Sequence, residues 1–226
     1  MQTLPIGIQD FVRLRQDNLL YVDKTARLLE LIQNGQRYFL SRPRRFGKSL
    51  TLSTLDTMFS GRAELFKGLA AEKWVSRQAQ NPSPVLRFDM SGLDIQTPQS
   101  LQQSLKEIIS RAGKDFNVEI PSETLNGMFT DLLSEIYKKY GAVVVLIDEY
   151  DKPILDNIND LQRANEMREV LRSFYTTLKS CDEYLRFVLL TGLSKFSKAG
   201  VFSALNNLAD ISMLKRYGDI VGYTQE

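Results

Sequence analysis

Apolar positions along the chain follow two periods in turn. Short runs rich in β-branched and aromatic residues give way to longer stretches with an apolar residue every three or four positions. That alternation predicts strands separated by helices. The predicted strands are Arg37-Tyr-Phe-Leu-Ser41, Pro84–Asp89, Ala142–Ile147 and Tyr184–Thr191, with Asp210–Leu214 as a short last one. Ala142-Val-Val-Val-Leu-Ile147 is apolar throughout, as a strand buried on both faces must be. Helices are predicted over Lys48–Phe59, Ser100–Ala112, Ser122–Tyr140 and Leu161–Leu178. The first of these carries Leu50, Leu52, Leu55, Met58 and Phe59 and meets Gly61 at its stop. Asn81-Pro-Ser-Pro84 reads as a turn. Strands separated by helices imply right-handed crossovers, so the expected fold is α/β with three α-β-α layers: a mostly parallel sheet of about five strands with helices on both faces. Such sheets bind ligands at the carboxyl ends of their strands.

Three polar segments sit directly at such strand ends. The first is Ser41-Arg-Pro-Arg-Arg-Phe-Gly-Lys-Ser-Leu50, between a strand and a helix. Its second half matches the phosphate loop G-x-x-x-x-G-K-[ST] at Gly47, Lys48 and Ser49, while the first consensus glycine is replaced by Arg42. Gly47 lets the backbone approach phosphate oxygens without a Cβ in the way. Successive N–H groups and the helix N-terminus then cradle the anion. Lys48 is expected to reach the β- and γ-phosphates and the Ser49 hydroxyl to ligate Mg2+. Arg44, Arg45, Phe46, Gly47, Lys48, Ser49 and Leu50 are therefore the expected nucleotide contacts. The plainer reading is a chance Gly-Lys-Ser at a helix start beside surface arginines.

The second segment is Val143-Val-Val-Leu-Ile-Asp-Glu149, an apolar strand ending in two acids, which is the Walker B pattern. Asp148 is expected to hold Mg2+, commonly through water, together with Ser49. Glu149 is expected to orient and polarise the attacking water as general base. Asp156 is expected to cap the next helix, and the role of Asp151 stays open. The two half-motifs lie about one hundred residues apart. That spacing suits the ATPase arrangement in which a further strand intervenes, with strand order 5-1-4-3-2. The third segment is Phe187–Ser194. Thr191 is expected to sense the γ-phosphate and help place the water, although a hydroxyl satisfying local backbone explains it nearly as well. Lys195 and Lys198 face phosphate, nucleic acid or solvent. Asp89 is read as a structural carboxylate, and Trp74, Phe66 and Leu69 as core packing.

Composition narrows the chemistry. Among 226 residues there is one cysteine, Cys181, and no histidine. An intramolecular disulfide is impossible, and Ser-His-Asp, Cys-His and His-ligated metal chemistry is excluded. The metal left over is a hard cation held by oxygens, with Mg2+ the usual partner of phosphates. A net charge of +2 does not by itself point to nucleic acid. Met1-Gln-Thr-Leu-Pro-Ile6 is no signal peptide, and no apolar run approaches the ~20 residues of a membrane helix, so a cytoplasmic location is expected.

Together, Ile6-Gly-Ile-Gln-Asp-Phe11, Tyr21-Val-Asp-Lys-Thr25, Arg42–Ser49, Leu146–Pro153 and Leu190–Ser194 resemble the bacterial AAA-ATPase-like domain family, across essentially the whole of residues 1–226. In that family the Arg-Pro-Arg-Arg-Phe-Gly-Lys-Ser form of the loop is usual. The resemblance implies that Tyr21–Thr25 lies near the nucleotide, with Asp23 or Lys24 contributing, and that residues 1–36 form an N-terminal extension with a lead-in helix. It also implies that members continue into a helical lid and often a C-terminal domain similar to PD-(D/E)XK nucleases. The chain is thus expected to be the ATPase core of a longer protein.

The first functional expectation is a switch that binds ATP with Mg2+ and hydrolyses it slowly, acting on a downstream domain and through it on DNA. The alternative is a module that binds nucleotide, or only keeps the pocket's shape, without turnover. Direct nucleic-acid binding through Arg42–Arg45 and Lys195–Lys198 is a third reading, although ATP phosphates explain the same residues more economically. A small-molecule kinase is a fourth and weaker one, since the sequence shows no acceptor-binding motif.

Overall fold

In the computed structural model, which describes residues 2–193 and 207–222, five strands form one all-parallel sheet. They are β1 (Arg37–Ser41), β2 (Val85–Asp89), β3 (Val143–Asp148), β4 (Leu185–Gly192) and β5 (Ala209–Asp210), in the order β2-β3-β4-β1-β5. This is the expected 5-1-4-3-2 order, read from the opposite edge. The α-helices are α1 (Phe11–Gln16), α2 (Thr25–Asn34), α3 (Lys48–Phe59), α4 (Glu72–Gln78), α5 (Pro98–Asp115), α6 (Leu125–Tyr140), α7 (Lys152–Leu155) and α8 (Leu161–Ser180). Ser194, Lys195 and Lys198 lie outside the described residues.

Alternation along the strands builds the layers, because successive side chains of a strand face opposite sides. In β3, Val143, Val145 and Ile147 join one core with Leu105 of α5, Phe129 of α6 and Phe174 of α8. Val144 and Leu146 join the other core with Leu28 of α2, Leu55 of α3 and Val75 of α4. Each fully buried large apolar side chain contributes roughly 1.5–3 kcal/mol, and both faces of the sheet are lined with them. The N-terminal region belongs to this second core: Phe11 of α1 and Leu31 of α2 are completely buried in it.

Helix α3 runs beneath the sheet and packs against β3, α1 and α4. It is covered on nearly every side, so it buries Thr51, Thr54 and Thr57 as well as its leucines. Those hydroxyls are satisfied locally: Thr51 bonds the Gly47 carbonyl, Thr54 that of Leu50 and Thr57 that of Ser53.

Several boundaries differ from the sequence-based expectation for identifiable reasons. Helix α5 starts at Pro98 because Thr97 and Ser100 form a capping box ahead of it. Helix α6 starts at Leu125 because Thr124 is its N-cap, while the Ser122 N–H is taken by Asp131. Asp156 does not cap the next helix. It ends α7, paired with Lys152 at 2.9 Å, and Asp160 caps α8 by accepting from the Arg163 N–H. The predicted strand Asp210–Leu214 is cut to Ala209–Asp210. Beyond it, Ser212 Oγ rather than a backbone carbonyl accepts the Ser41 N–H at 2.8 Å, so a side chain finishes the ladder.

Candidate functional site

Register brings the three informative strand ends to one edge of the sheet. Leu40 lies beside Thr191, Ser41 beside Gly192, and Asp89 beside Asp148. Because β4 lies between β1 and β3, Thr191 stands between the loop that follows β1 and the acids that follow β3. The Thr191 hydroxyl donates to Asp148 Oδ1, which also accepts from the Glu149 N–H at 3.0 Å. Both Asp148 and Thr191 are buried. Among the described residues, Asp148 Oδ2 takes no comparable bond.

The loop leaves β1 with its ladder still running, since the Arg42 N–H donates to the Gly192 carbonyl at 3.2 Å. The Arg42 guanidinium bonds the carbonyls of Ser41 and Ser212. The arginine at the consensus glycine position thus ties the loop to the segment after β5. Arg45 and Gly47 both have left-handed backbone, with φ 66° and 88°. Glycine adopts that conformation freely, whereas an arginine there costs on the order of 1–2 kcal/mol, so the loop's shape is held against local strain. Arg44, Arg45, Phe46 and Gly47 are exposed; Ser49 and Leu50, in the first turn of α3, are half-buried. The N–H groups of that turn have no partner within the helix. The Phe46 carbonyl accepts from the Gly222 N–H at 3.0 Å, a second tie between loop and C-terminal segment.

Lys48 is buried, and its ammonium donates to the carbonyls of Arg42 at 2.9 Å and Pro43 at 3.0 Å. Burial pushes its pKa below the ordinary lysine value; Asp148, Glu149 and Asp151 oppose that shift and Arg44 adds to it. Burial likewise raises the Glu149 carboxyl above its ordinary value, with Lys152 opposing and Asp148 and Asp89 adding to the rise. The predicted catalytic groups therefore feel one another's charge. Glu149 also has left-handed backbone, φ 50°, immediately after the strand. A non-glycine outlier of this kind is the sort of strain that accumulates at working sites.

Two spaces adjoin this edge. An open cleft of about 410 Å3 lies over the ends of β1, β4 and β5, walled by Ser41, Arg42, Leu193, Met213 and Leu214. A niche of about 10 Å3, lined by Arg44, Glu149, Asp151 and Lys152 among others, is the size of one water molecule.

Asp23, which the resemblance put near the nucleotide, is engaged in structural bonds. Its Oδ1 accepts from the Thr25 N–H at 2.8 Å and from the Thr25 hydroxyl at 2.6 Å, and its Oδ2 accepts from the Ala70 N–H at 2.8 Å. Thr25 Oγ1 in turn accepts from the Ala71 N–H. The motif therefore staples the start of α2 to the turn before α4. Tyr21 packs edge-on against Phe11, and burial raises its phenol to about 12. Asp89 accepts from the Ser91 N–H, as a structural carboxylate does.

Sequence reasoning left Asp151 open and gave Tyr150 and Gly192 no role. The Tyr150 N–H donates to the Thr191 carbonyl at 3.0 Å, and the Asp151 carboxylate accepts from the Leu193 N–H. Gly192 directly after Thr191 was the available signal, since a glycine at a strand end marks close approach of another group. Among the described residues, no helix is long and apolar enough to cross a membrane.

An all-parallel sheet in this order, with a Gly-Lys-Ser loop after β1 opening a helix and acids after β3, defines a P-loop NTPase of the ATPase-like kind. The chain belongs to the family described as predicted AAA-ATPase, whose profile matches residues 5–202. It is 44% identical over 225 residues to an uncharacterised protein encoded in the vnfD 5′ region of Azotobacter chroococcum mcd 1, covering 98% of this chain and 43% of that protein. The chain thus spans less than half the length of that relative. A solved structure, the Aeropyrum pernix ORC1 protein in complex with DNA, aligns with a TM-score of 0.44 and 10% sequence identity, over 77% of this chain and 39% of that one.

Proposed function

We propose that the chain binds ATP with Mg2+ and hydrolyses it, and that turnover serves as a switch for a further domain of the longer protein, a nuclease-like one in the reading drawn from the resemblance. The observation that carries this is the buried Asp148, fixed by the Thr191 hydroxyl and carrying an oxygen that accepts no other bond among the described residues. An acceptor-only anionic oxygen at the edge where α3 begins suits a hard cation whose other ligands are phosphate, water and the Ser49 hydroxyl. Mg2+ there would neutralise phosphate charge during transfer. In this reading the α3 N-terminus and the backbone of Arg44–Ser49 hold the phosphates, with Arg44 and Arg45 adding positive charge from the exposed rim. Lys48 reaches the outer phosphates. Glu149 holds and polarises the attacking water, and Thr191 fixes Asp148 and senses the transferred group. The cleft between Arg42 and Leu214 has the volume of a small-ligand site and an apolar wall for the nucleoside end.

The test is phosphate release with ATP and Mg2+. Lys48→Ala is expected to weaken ATP binding at least tenfold, and Glu149→Gln to lower turnover at least a hundredfold while leaving affinity nearly unchanged. Wild-type turnover indistinguishable from that of Glu149→Gln would sink the hydrolysis reading.

One observation favours a second reading, binding without turnover. Two of the three donors of the Lys48 ammonium are occupied by the Arg42 and Pro43 carbonyls. Calorimetric titration showing tight ATP binding in a protein with no phosphate release would select it.

A further inference from the structure

We propose that Asp151 is a positioning residue for Glu149: it clamps the turn that aims the general base, and ATP turnover depends on it through kcat rather than through nucleotide affinity. This rests on the hydrolysis reading above. Asp151 is 1% exposed and stands at the first position before α7, where an aspartate ordinarily caps its own helix. It makes no such capping bond. Its carboxylate instead accepts from the Leu193 N–H, at 3.3 Å to Oδ1 and 3.1 Å to Oδ2.

A second bond runs beside it, one residue earlier in the turn and two residues earlier along β4, from the Tyr150 N–H to the Thr191 carbonyl at 3.0 Å. The turn after β3 is therefore fastened twice to the end of β4, at the two residues that directly follow Glu149. A third tie holds the far side of the turn, where the Tyr175 hydroxyl of α8 donates to the Tyr150 carbonyl at 3.2 Å. Glu149 itself sits in a left-handed backbone conformation that an L-residue holds only under constraint. These bonds are that constraint, and Asp151 supplies the side-chain part of it.

Gly192 is the other half of the clamp. A Cβ at this position would lie 2.5 Å from Tyr150 ring carbons and 2.7 Å from Asp151 Oδ1. Only a glycine lets the turn seat this closely against β4. Because Thr191, which bonds Asp148, is one residue away, the clamp also fixes the distance between the acids and the hydroxyl.

The test measures ATP affinity and single-turnover hydrolysis in parallel for Asp151→Ala, Asp151→Asn and Gly192→Ala, with Glu149→Gln as reference. Asp151→Ala is expected to lower kcat at least tenfold, as a misplacement of about 1 Å can, with ATP affinity within about threefold of wild type. Asp151→Asn keeps an oxygen to accept from Leu193 and is expected to recover most of the loss. Gly192→Ala pushes the same two residues away while leaving the Asp151 carboxylate chemically intact; it is expected to reproduce the kcat defect and decides the matter if Asp151→Ala does not fold. Unchanged kcat in Asp151→Ala or Gly192→Ala overturns the inference, as does an affinity loss that matches the kcat loss. If wild-type turnover does not depend on Glu149, the hydrolysis reading falls and the positioning role with it. Turnover that needs Glu149 but ignores Asp151 removes the positioning role alone.

Discussion

The hydroxyl of Thr191 donates to Asp148 Oδ1 across the β3–β4 ladder, so the middle strand of the site governs how the acid beside it is held. A hydrogen bond to a buried carboxylate is worth roughly 1.5–3 kcal/mol, and removing the donor leaves that charge under-satisfied. Thr191→Val is therefore expected to lower ATP turnover about ten- to a hundredfold, while Thr191→Ser, which keeps the hydroxyl, stays within about threefold of wild type. Phosphate release at saturating ATP and Mg2+ reads both. Equal turnover in the two variants would mean that Asp148 is held by its bond to the Glu149 N–H alone.

Restoring the consensus glycine is expected to harm this loop. Arg42 ties it to Ser212 on the segment after β5, and that tie is lost in Arg42→Gly. The extra backbone freedom of glycine in the unfolded chain adds to the cost. The substitution is expected to reduce stability by about 1–2 kcal/mol and to weaken ATP binding, by calorimetry, rather than strengthen it. A tighter complex from Arg42→Gly would show that the arginine compromises the loop instead of bracing it.

The raised pKa of Glu149 gives a stability signature that needs no nucleotide. Burial disfavours the ionised carboxylate, so its folded-state pKa lies above the ordinary 4.5. A group shifted in this direction contributes stability that is fully present below its unfolded pKa and is lost as pH rises through the folded one. At neutral pH the ionised carboxylate thus costs stability that a neutral amide would not. In metal-free protein, Glu149→Gln is expected to melt higher than wild type at pH 7, with the gap closing as pH falls below about 4.5. A gap that is the same at pH 4 and pH 7 would count against the burial of this charge.

Much of this site could be read in the sequence because each part is a local pattern. The apolar run Ala142–Ile147 ends in Asp148, and Gly47-Lys-Ser49 opens a helix. Buried parallel strands and phosphate loops both require such contiguous residues. What escaped the sequence depends on contacts between distant residues. Ser212 completing the β1 ladder links positions 171 residues apart, and no periodicity marks it. The Asp151–Leu193 bond spans 42 residues, and its one local sign was Gly192. Asp156 and Asp160 both precede α8, and composition alone could not tell which would cap it, since that depends on where the short α7 ends. Family resemblance singled out the Tyr21–Thr25 motif but not the bonds of Asp23 to Thr25 and Ala70, because a shared motif marks a constraint without saying whether the constraint is chemical or structural.

Asp23 offers the sharpest separation of those two kinds of constraint. Its carboxylate receives three hydrogen bonds, two from Thr25 and one from Ala70, and the Thr25 side chain it orients is completely buried. Removing an acceptor that satisfies several donors typically costs about 2–3 kcal/mol. For a chain of this length that corresponds to a fall in melting temperature of roughly 5–10 °C. Asp23→Ala is expected to show that fall while keeping wild-type ATP affinity and turnover per folded molecule. Asp23→Asn, which loses the charge and turns one acceptor into a donor, is expected to fall between the two. Lys48→Ala should give the opposite pattern, with nucleotide binding lost and melting less affected. If Asp23→Ala instead weakens ATP binding at an unchanged melting temperature, the carboxylate acts on the nucleotide, and the staple between α2 and the turn before α4 is incidental to its role.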